Sequence, residues 1–446
     1  MASSSGGPCG GATPAPECPV PWLSTTRPAG DYKALWAPHS TPLLGGGAVL
    51  GERTANDLVA VTRNAGGMPV LAGLRSSGHK VAGPIPTVPP DGPQEPLLAV
   101  TFNDNAEMRY FRDNNGAFEL QASQEAFGAG DHREAVIQGP PTGAFTASAG
   151  SLLGRVVASH VVWGARNATL DTPVATANVA VHLAALCDPS KARVLVADAN
   201  GVVTGLRVVP LPGNTQNTQA QTTGTIPIAG TAVFPPVVVD APDPAPARVF
   251  VFRNTANRLE VHALQVDSNG ALQAVPGQPL ILATGETMSG PAAVAVVGNT
   301  AQLVVPTASG KLLVTTVIPL PSAVVQEVQL NAGVAITGVI AFRALPADTS
   351  PTLLATDATG VVHARRAGQL LPGFPVNVPP THTITQAPLV MAYPGATPWH
   401  LVVASDVGTA EGFLTGWTFG EASDASNQWT EYQQGNRNRG CVVVLP

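Results

Sequence analysis

Residues that could carry out catalysis or hold a metal ion occur in this chain, but their spacing forms no recognised site. The nine histidines include no pair at positions i and i+4 and no His-Glu-x-x-His segment, which a helical zinc site requires. The chain also lacks a Gly-x-Ser-x-Gly turn for a nucleophilic serine and a Gly-Lys-Ser/Thr loop for a phosphate. The sequence therefore predicts no catalytic residue, no cofactor-binding residue and no bound cofactor.

Two tryptophans near the C-terminus are weak candidates for a binding site. Trp399 and Trp417 could each stack on the face of a sugar ring, as aromatic side chains do in carbohydrate-binding proteins. Aromatic residues make up only 5% of the chain, which is too few for one such ring in every repeat. Packing in a hydrophobic core explains the same two residues, and both interpretations stay open.

The four cysteines also allow two interpretations. Cys9 and Cys18 lie in a Gly- and Pro-rich N-terminal segment, whereas Cys187 and Cys441 are far apart in the rest of the chain. They are either free thiols, two mobile and two buried, or disulfides formed in an oxidising compartment. We predict a disulfide between Cys9 and Cys18, because it would close a short segment that has no core of its own.

A repeat is visible from residue 43 onward. Each copy has an apolar run rich in β-branched residues, a turn built on Asp, Asn or Gly, a second apolar run and a Pro-rich connection. The clearest copy is 193–206, and copies start near residues 57, 97, 145, 193, 248, 301, 352 and 399. The starts are 40 to 55 residues apart, the length of one four-stranded propeller blade with its connections.

We predict an all-β fold with a single β-propeller over residues 43–446, with eight blades and seven as the alternative. A pair of β-sandwiches is the competing architecture.

Two histidines occupy equivalent positions in the repeat. His262 and His363 both fall in the second apolar run of their copies, which would suit a ring of inward-facing polar groups. A single polar residue on a solvated strand face is the more common explanation of such a position.

Residues 1–42 form a different kind of segment. They are rich in Gly and Pro and contain Trp22, Tyr32 and Trp36. Such a segment cannot fold alone, so we predict an irregular N-terminal arm that lies over the propeller or over a neighbouring subunit.

The composition excludes some partners and favours a location. Charged residues make up 12% of the chain, about half the usual share, and the net charge is −6. No basic surface for nucleic acid is expected, and no run approaches the roughly 20 apolar residues of a membrane helix. A weakly charged surface is commoner on secreted, periplasmic or cell-surface β proteins. We therefore expect an extracytoplasmic protein, although no signal peptide is visible in the sequence.

Two segments show a resemblance to a known family. Residues 367–376 include Leu371-Pro372-Gly373-Phe374-Pro375, and residues 429–440 include Trp429, Tyr432 and Arg439. With the repeat, these resemble the FG-GAP and VCBS type of β-propeller, which is similar to quinoprotein-like propellers, over roughly residues 43–441. The resemblance implies that the first segment is a connection between blades. It also implies that Trp429, Tyr432 and Arg439 close the ring by packing between the first and last blades.

The same resemblance raises the question of calcium. Many blades of that family carry an Asp-x-Asp-x-Asp-Gly loop, whose oxygen atoms converge on a calcium ion. Here the corresponding turns each have one carboxylate and a glycine, as in those that contain Asp198 and Asp357, which is what a plain hairpin turn needs. Asn103-Asp104-Asn105 is the one denser cluster of oxygen ligands. Structural turns are the main prediction, and calcium at Asn103, Asp104, Asn105, Asp198 or Asp357 is the weak alternative.

These observations favour a non-catalytic β-propeller that acts as a protein interaction or assembly module, as a subunit of a larger surface complex. Protein partners are expected, because Gly- and Pro-rich loops between blades would form a broad and nearly uncharged face. A carbohydrate-binding propeller and a propeller enzyme with a site in its central funnel are the two alternatives.

Overall fold

A computed structural model gives the chain an all-β fold, which confirms the predicted class. The described residues form 36 strands, and no helix lies among them. The residues that the structure describes are 9, 15–27, 35–36, 47–51, 58–64, 66–74, 87–88, 97–101, 107–114, 117–125, 132–138, 143–152, 155–162, 169–170, 174–175, 180–187, 193–198, 200–211, 214–228, 230, 232–240, 245–267, 270–318, 324–392, 398–408, 411–422 and 441–444.

The described strands form eight sheets, which we number in chain order, and consecutive strands within a sheet pair antiparallel. Sheets 1 and 2 contain β2 (Leu35–Trp36), β3 (Gly47–Gly51), β4 (Leu58–Arg63) and β5 (Pro69–Leu74), then β6 (Thr87–Val88), β7 (Leu97–Thr101), β8 (Glu107–Asn114) and β9 (Ala117–Glu125). Sheets 3 and 4 contain β10 (His132–Gln138), β11 (Gly143–Leu152), β12 (Arg155–Val162), β13 (Thr169–Leu170) and β14 (Val174–Ala175), then β15 (Ala180–Ala185), β16 (Arg193–Asp198), β17 (Val202–Leu211) and β18 (Asn214–Pro227).

The second half of the chain continues the same plan. Sheets 5 and 6 contain β19 (Val237–Asp240), β20 (Ala247–Asn254), β21 (Arg258–Val266), β22 (Leu272–Ala274) and β23 (Leu280–Thr284), then β24 (Ala293–Val297), β25 (Thr300–Pro306), β26 (Lys311–Ile318) and β27 (Val325–Gln329). Sheets 7 and 8 contain β28 (Ile336–Phe342), β29 (Thr352–Asp357), β30 (Val361–Arg366), β31 (Gln369–Leu370) and β32 (Val376–Asn377), then β33 (Leu389–Ala392), β34 (Trp399–Val407) and β35 (Glu411–Phe419). Two strands from the chain ends join these sheets: β1 (Val20–Arg27) extends sheet 8 and β36 (Cys441–Val443) extends sheet 5.

The strand pairs read from the sequence repeat are the second and third strands of their sheets. The copies at 248–264, 301–317 and 352–364 correspond to β20 with β21, β25 with β26, and β29 with β30. The copy that starts near residue 57 is shifted by one strand, because β4 and β5 are the third and fourth strands of sheet 1. The first strand of sheet 5 is β19, whose four residues are all buried, as expected for a strand covered on both faces.

The prediction of an irregular arm over residues 1–42 is wrong where this segment contains β2, the first strand of sheet 1, and for residues 20–27. Residues 20–27 form β1, which pairs antiparallel with β35 from Val20 opposite Thr418 to Arg27 opposite Gly412, with one bulge near Trp22. Sheet 8 has three strands from the C-terminal half of the chain, and β1 supplies its fourth. The N-terminal segment therefore has a defined place in the fold.

The prediction that 371–375 connects two blades is also wrong. These residues lie between β31 and β32, and both of those strands pair with β30. The Leu371-Pro372-Gly373-Phe374-Pro375 segment therefore interrupts the last strand of sheet 7, and the connection to sheet 8 comes after it. Proline suits this position because the chain leaves the hydrogen-bonded ladder there.

Buried side chains form clusters that link neighbouring sheets. One cluster extends through sheets 5 to 8 and includes Phe250, Phe342 and Trp399, while another joins sheets 4 and 5. A third cluster joins sheet 8 to sheet 1 through Leu389 and Val61. The last sheet is thus in contact with the first.

Candidate functional site at the two chain termini

Histidine, cysteine and acidic side chains are distributed over several sheets among the residues that the structure describes. Among those residues, no group of three or more histidine, cysteine, aspartate or glutamate side chains is placed to bind one metal ion. The buried polar side chains instead hold turns and neighbouring sheets in place, and Asp357 shows how.

Asp357 ends β29 and has its side chain fully buried. Its Oδ1 accepts hydrogen bonds from the Thr359 and Val361 amides at 2.9 and 3.1 Å and from the Thr359 hydroxyl at 2.8 Å. Its Oδ2 accepts from Asn331 Nδ2 at 2.8 Å and from His363 Nε2 at 3.0 Å. Burial alone would raise the pKa of the Asp357 carboxyl, but the hydrogen bonds from His363, Asn331 and Thr359 lower it well below its usual range.

Both carboxylate oxygens of Asp357 accept hydrogen bonds, which supports its interpretation as a structural turn that also ties sheet 7 to the connection from sheet 6. Calcium at Asp357 stays a prediction. Asp198 is the last residue of β16, and its side chain lies outside the described atoms. Asn103, Asp104 and Asn105 lie outside the described residues, so calcium there stays a prediction.

The two equivalent histidines each lie close to a carboxylate of their own sheet. His363 contacts Asp357, and His262 Nε2 lies 3.9 Å from Glu260 Oε2, which is also 3.5 Å from Arg253 Nη2. Burial and the charge of Arg253 lower the pKa of His262, which favours a neutral ring. Both histidines therefore act within their own sheets.

The two candidate sugar-stacking tryptophans lie in the core. Trp399 has no exposed surface, packs edge-on against Phe342 at 5.3 Å between ring centroids, and donates its Nε1 hydrogen to Arg343 O at 2.9 Å. Trp417 is only 6% exposed. Since neither ring has a face free to stack on a sugar, the glycan-binding alternative loses both of its candidate residues.

The N-terminal segment docks on sheets 7 and 8 just before β1 begins. A disulfide joins Cys9 and Cys18, with the Cα atoms 5.6 Å apart. The Pro16 carbonyl accepts a hydrogen bond from Gly420 N at 2.6 Å, directly after β35. Glu17 forms an ion pair with Arg366 of β30.

Two further contacts fix the position of this segment on sheet 7. Arg366 Nη1 also lies 2.7 Å from Asp348 Oδ1, so Arg366 bridges two carboxylates from distant parts of the chain. Gly373 meets the segment directly, because a Cβ atom there would lie 2.6 Å from Pro19 Cδ and 2.8 Å from Cys9 Sγ. The N-terminal segment can therefore pack this closely against sheet 7 only because residue 373 is a glycine.

The same segment then reaches sheet 1. Trp22 donates its Nε1 hydrogen to Gly67 O at 3.0 Å, and its ring packs edge-on against His400 at 4.7 Å between centroids. Burial and the nearby charge of Arg63 lower the pKa of His400 from 6.5 to about 4. His400 is therefore neutral near pH 7, and it lies where sheets 8 and 1 meet.

This arrangement predicts that acid weakens the contact between sheets 8 and 1. In the unfolded chain His400 takes up a proton near pH 6.5, whereas in the folded protein it does so only near pH 4. Between these values the unfolded state binds more protons, so stability falls as the pH falls, by about 3 kcal/mol over the whole window. Urea unfolding of the wild type and of His400→Gln at pH 7.0 and pH 4.5 measures this. The variant should lose less stability on acidification than the wild type, and equal losses would contradict the role of His400.

The C-terminal strand is fixed in a similar way. β36 pairs parallel with the free edge of β19, with Val442 opposite Val239, and Val444 N donates to Asp240 O at 2.9 Å. Val442 is fully buried, and Cys441 forms a disulfide with Cys187, just after β15. The interpretation of Cys187 and Cys441 as free thiols is therefore wrong, because all four cysteines are paired. Trp429, Tyr432 and Arg439 lie outside the described residues, so their proposed packing stays a prediction.

Exposed apolar side chains lie on both sides of the junction of sheets 8 and 1, on β1 and around the start of β5. Val20 is 55% exposed, Met68 is 62% exposed and Val70 is 40% exposed, and the half-exposed Trp22 contacts the turn just before Met68. We call Val20, Trp22, Met68 and Val70 the junction surface. Apolar residues grouped on a surface in this way are typical of sites of protein contact.

Comparison with solved structures defines the class of the fold as a β-propeller. The structure is similar to that of Saccharomyces cerevisiae Sqt1, with a TM-score of 0.58, 12% sequence identity and coverage of 90% of this chain and 98% of that one. It is also similar to Chaetomium thermophilum Sqt1 bound to the N-terminus of the ribosomal protein L10, with a TM-score of 0.53, 11% identity and coverage of 88% and 100%. For BBS1N in complex with ARL6DN the TM-score is 0.50, with 12% identity and coverage of 79% and 95%.

Likeness at this level of identity establishes the fold and not the function. The sequence matches no protein-family model and no curated protein sequence, so membership of the FG-GAP and VCBS type stays a prediction. A helix able to cross a membrane is not found in the described part of the chain.

Proposed function

We propose that this chain is a non-catalytic β-propeller that works outside the cytoplasm as a protein interaction or assembly module, as a subunit of a larger surface complex. The observation that carries the proposal is the junction surface, an apolar group beside a segment that is fixed by a disulfide, an ion pair and a shared sheet. A rigid and partly apolar surface can bind a partner with little loss of conformational freedom.

We infer that the eight sheets are eight blades of one closed ring. Three features support this number: the eight sheets follow each other in chain order, β1 completes the last of them, and a shared core cluster joins sheet 8 to sheet 1. A fourth strand supplied by the other end of the chain ties the last blade to the start of the chain and would resist opening of the ring.

The location outside the cytoplasm is supported by the cysteines. All four are paired, and disulfides persist mainly in oxidising compartments. The low content of charged residues points in the same direction.

A role in protein binding is supported by two of the similar structures. The Chaetomium thermophilum Sqt1 structure holds the N-terminus of a ribosomal protein, and the BBS1N structure is a complex with ARL6DN. Propellers of this shape can thus present protein-binding surfaces. In this chain the buried ionisable groups described above are engaged in structural contacts, and the exposed apolar groups at the junction of sheets 8 and 1 are available for binding.

Native purification under mild conditions, followed by mass spectrometry, tests this function. The wild-type protein should bring a stoichiometric protein partner, and the double variant Met68→Asp with Val70→Asp should lose it, because two charges would be placed in the apolar contact. Val324→Asp is the matched control, since Val324 is 78% exposed and directly precedes β27 of sheet 6. A monomer that carries a sugar or a small-molecule cofactor and no protein would contradict the proposal in favour of a lectin or an enzyme.

A further inference from the structure

The interruption in the last strand of sheet 7 has a counterpart in sheet 5. Residues 275–279, Val-Pro-Gly-Gln-Pro, lie between β22 and β23, and both of these strands pair with β21. Residues 371–375 lie in the same way between β31 and β32, which both pair with β30. The second and fifth residues of both segments are prolines, and the third is a glycine. We call 275–279 and 371–375 the Pro-Gly loops of sheets 5 and 7.

The two Pro-Gly loops have the same backbone geometry. Val275 N donates to Ala263 O at 3.0 Å, and Leu371 N donates to the equivalent Ala364 O at 2.9 Å. The glycines have nearly equal φ angles, +81° at Gly277 and +77° at Gly373. A side chain packed on the Cβ side of Gly277 would therefore have the same orientation relative to its loop as one packed on the Cβ side of Gly373.

The loop of sheet 7 is occupied by the chain's own N-terminal segment. The space on the Cβ side of Gly373 is filled by the Pro19 ring and by Cys9 Sγ. Behind the loop, Phe374 is buried against Phe419 of sheet 8 at 5.4 Å between ring centroids. A proline ring and a cystine sulfur of the same chain thus pack against this loop.

The loop of sheet 5 has the same backbone geometry, but none of the described residues lies over its glycine. A Cβ atom at Gly277 would meet no described atom within 4 Å, and Pro276 and Gly277 are both exposed. Ile281, just beyond the loop in β23, is 45% exposed. In place of Phe374 this loop has Gln278, whose Oε1 accepts hydrogen bonds from Ala263 N at 3.1 Å and Leu280 N at 3.2 Å. The loop is thus held in shape by its own sheet.

The residues beside the two Pro-Gly loops differ in charge, and this difference indicates which kind of ligand the loop of sheet 5 could bind. In sheet 7, Arg366 lies two residues after Ala364 and pairs with Glu17. The residue two after Ala263 in sheet 5 is Gln265, which has no charge. A ligand of the sheet 5 loop therefore needs no carboxylate where the N-terminal segment has Glu17.

We propose that the Pro-Gly loop of sheet 5, together with Ile281, is a docking site for an extended, proline-containing and uncharged segment of another protein. A proline ring of that segment lies over Gly277 as Pro19 lies over Gly373, and its apolar flank covers Ile281. This site is separate from the junction surface, so it goes beyond the function proposed above, and either can fail without the other.

A synthetic peptide of residues 9–22, oxidised to its disulfide and labelled at its N-terminus, is the probe. Fluorescence anisotropy against the full chain should show saturable binding. Ile281→Asp should weaken that binding at least about tenfold, because it places a charge under the apolar flank. Val324→Asp should leave it unchanged, and a peptide with Glu17→Gln should bind at least as well as the original. Pro276→Ser, which removes an exposed ring of the loop, is the second variant if Ile281→Asp does not fold.

Two results would overturn the proposal. One is the absence of saturable peptide binding. The other is binding that persists in both Ile281→Asp and Pro276→Ser and changes in Arg366→Ala, because the peptide would then be exchanging with the chain's own segment on sheet 7.

Discussion

Val442→Asp is expected to destabilise the folded protein by about 3 kcal/mol or more, because it would bury a carboxylate at a position with no exposed surface. Val442 packs in the core cluster that extends through sheets 5 to 8, and its strand pairs with β19. The loss should therefore be global and appear as a single lower midpoint in urea unfolding followed by tryptophan fluorescence.

The matched control is Val324→Asp, the same replacement at a side chain that is 78% exposed. It should change the free energy of unfolding by no more than about 0.5 kcal/mol. If both variants unfolded at the same urea concentration as the wild type, β36 would not be part of the folded core.

Gly310→Ala is the second replacement expected to have a large effect, of about 2–5 kcal/mol in the free energy of unfolding. Gly310 has a φ of +89°, and a Cβ atom there would lie 1.7 Å from the Asn331 carbonyl oxygen. The alanine therefore adds about 1–2 kcal/mol for the left-handed backbone and about 1–3 kcal/mol for overpacking. The Gly310 carbonyl also accepts hydrogen bonds from Leu330 N and Asn331 N. The connection from sheet 6 to sheet 7 therefore packs directly against the turn that contains Gly310.

Gly285→Ala separates the two causes of that effect. Gly285 has a similar φ of +76°, but a Cβ atom there meets no described atom within 4 Å. This variant should show only the backbone cost of about 1–2 kcal/mol. Equal losses for the two variants in thermal or urea unfolding would mean that the contact between Gly310 and Asn331 is not tight.

The sequence allowed the repeating sheets to be predicted because their central strands are apolar and β-branched, and because their turns have Asp, Asn or Gly at fixed places. The turn at Asp357 was also predictable, since one carboxylate followed by a glycine suits a hairpin better than a calcium loop. In the structure, that carboxylate accepts hydrogen bonds from the turn itself.

The positions of the two chain ends were not predictable in the same way. β1 reads Val-Pro-Trp-Leu-Ser-Thr-Thr-Arg and pairs with a strand about 390 residues later, so no local pattern reveals its partner. β36 has only three residues, and the pairing of Cys187 with Cys441 spans 254 positions. Long-range pairings of this kind depend on how the sheets are arranged in space, which a single sequence does not reveal.

The sequence does contain a signal for the position of residues 371–375 within a repeat. Val275-Pro276-Gly277-Gln278-Pro279 and Leu371-Pro372-Gly373-Phe374-Pro375 share three of five residues and occupy the same place in their repeats. Their alignment would have shown that the second segment belongs inside a repeat. The resemblance to FG-GAP and VCBS propellers implied a connection between blades instead.

Both ends of this chain are paired into the sheets, and each end carries a disulfide. Peptide mapping of the natively purified protein, alkylated without reductant, tests this arrangement most directly. The structure predicts one cross-linked peptide pair containing Cys187 and Cys441, one disulfide between Cys9 and Cys18, and no alkylated cysteine. Four alkylated cysteines, or a pairing of Cys9 or Cys18 with Cys187 or Cys441, would contradict both the arrangement of the termini and the proposed location.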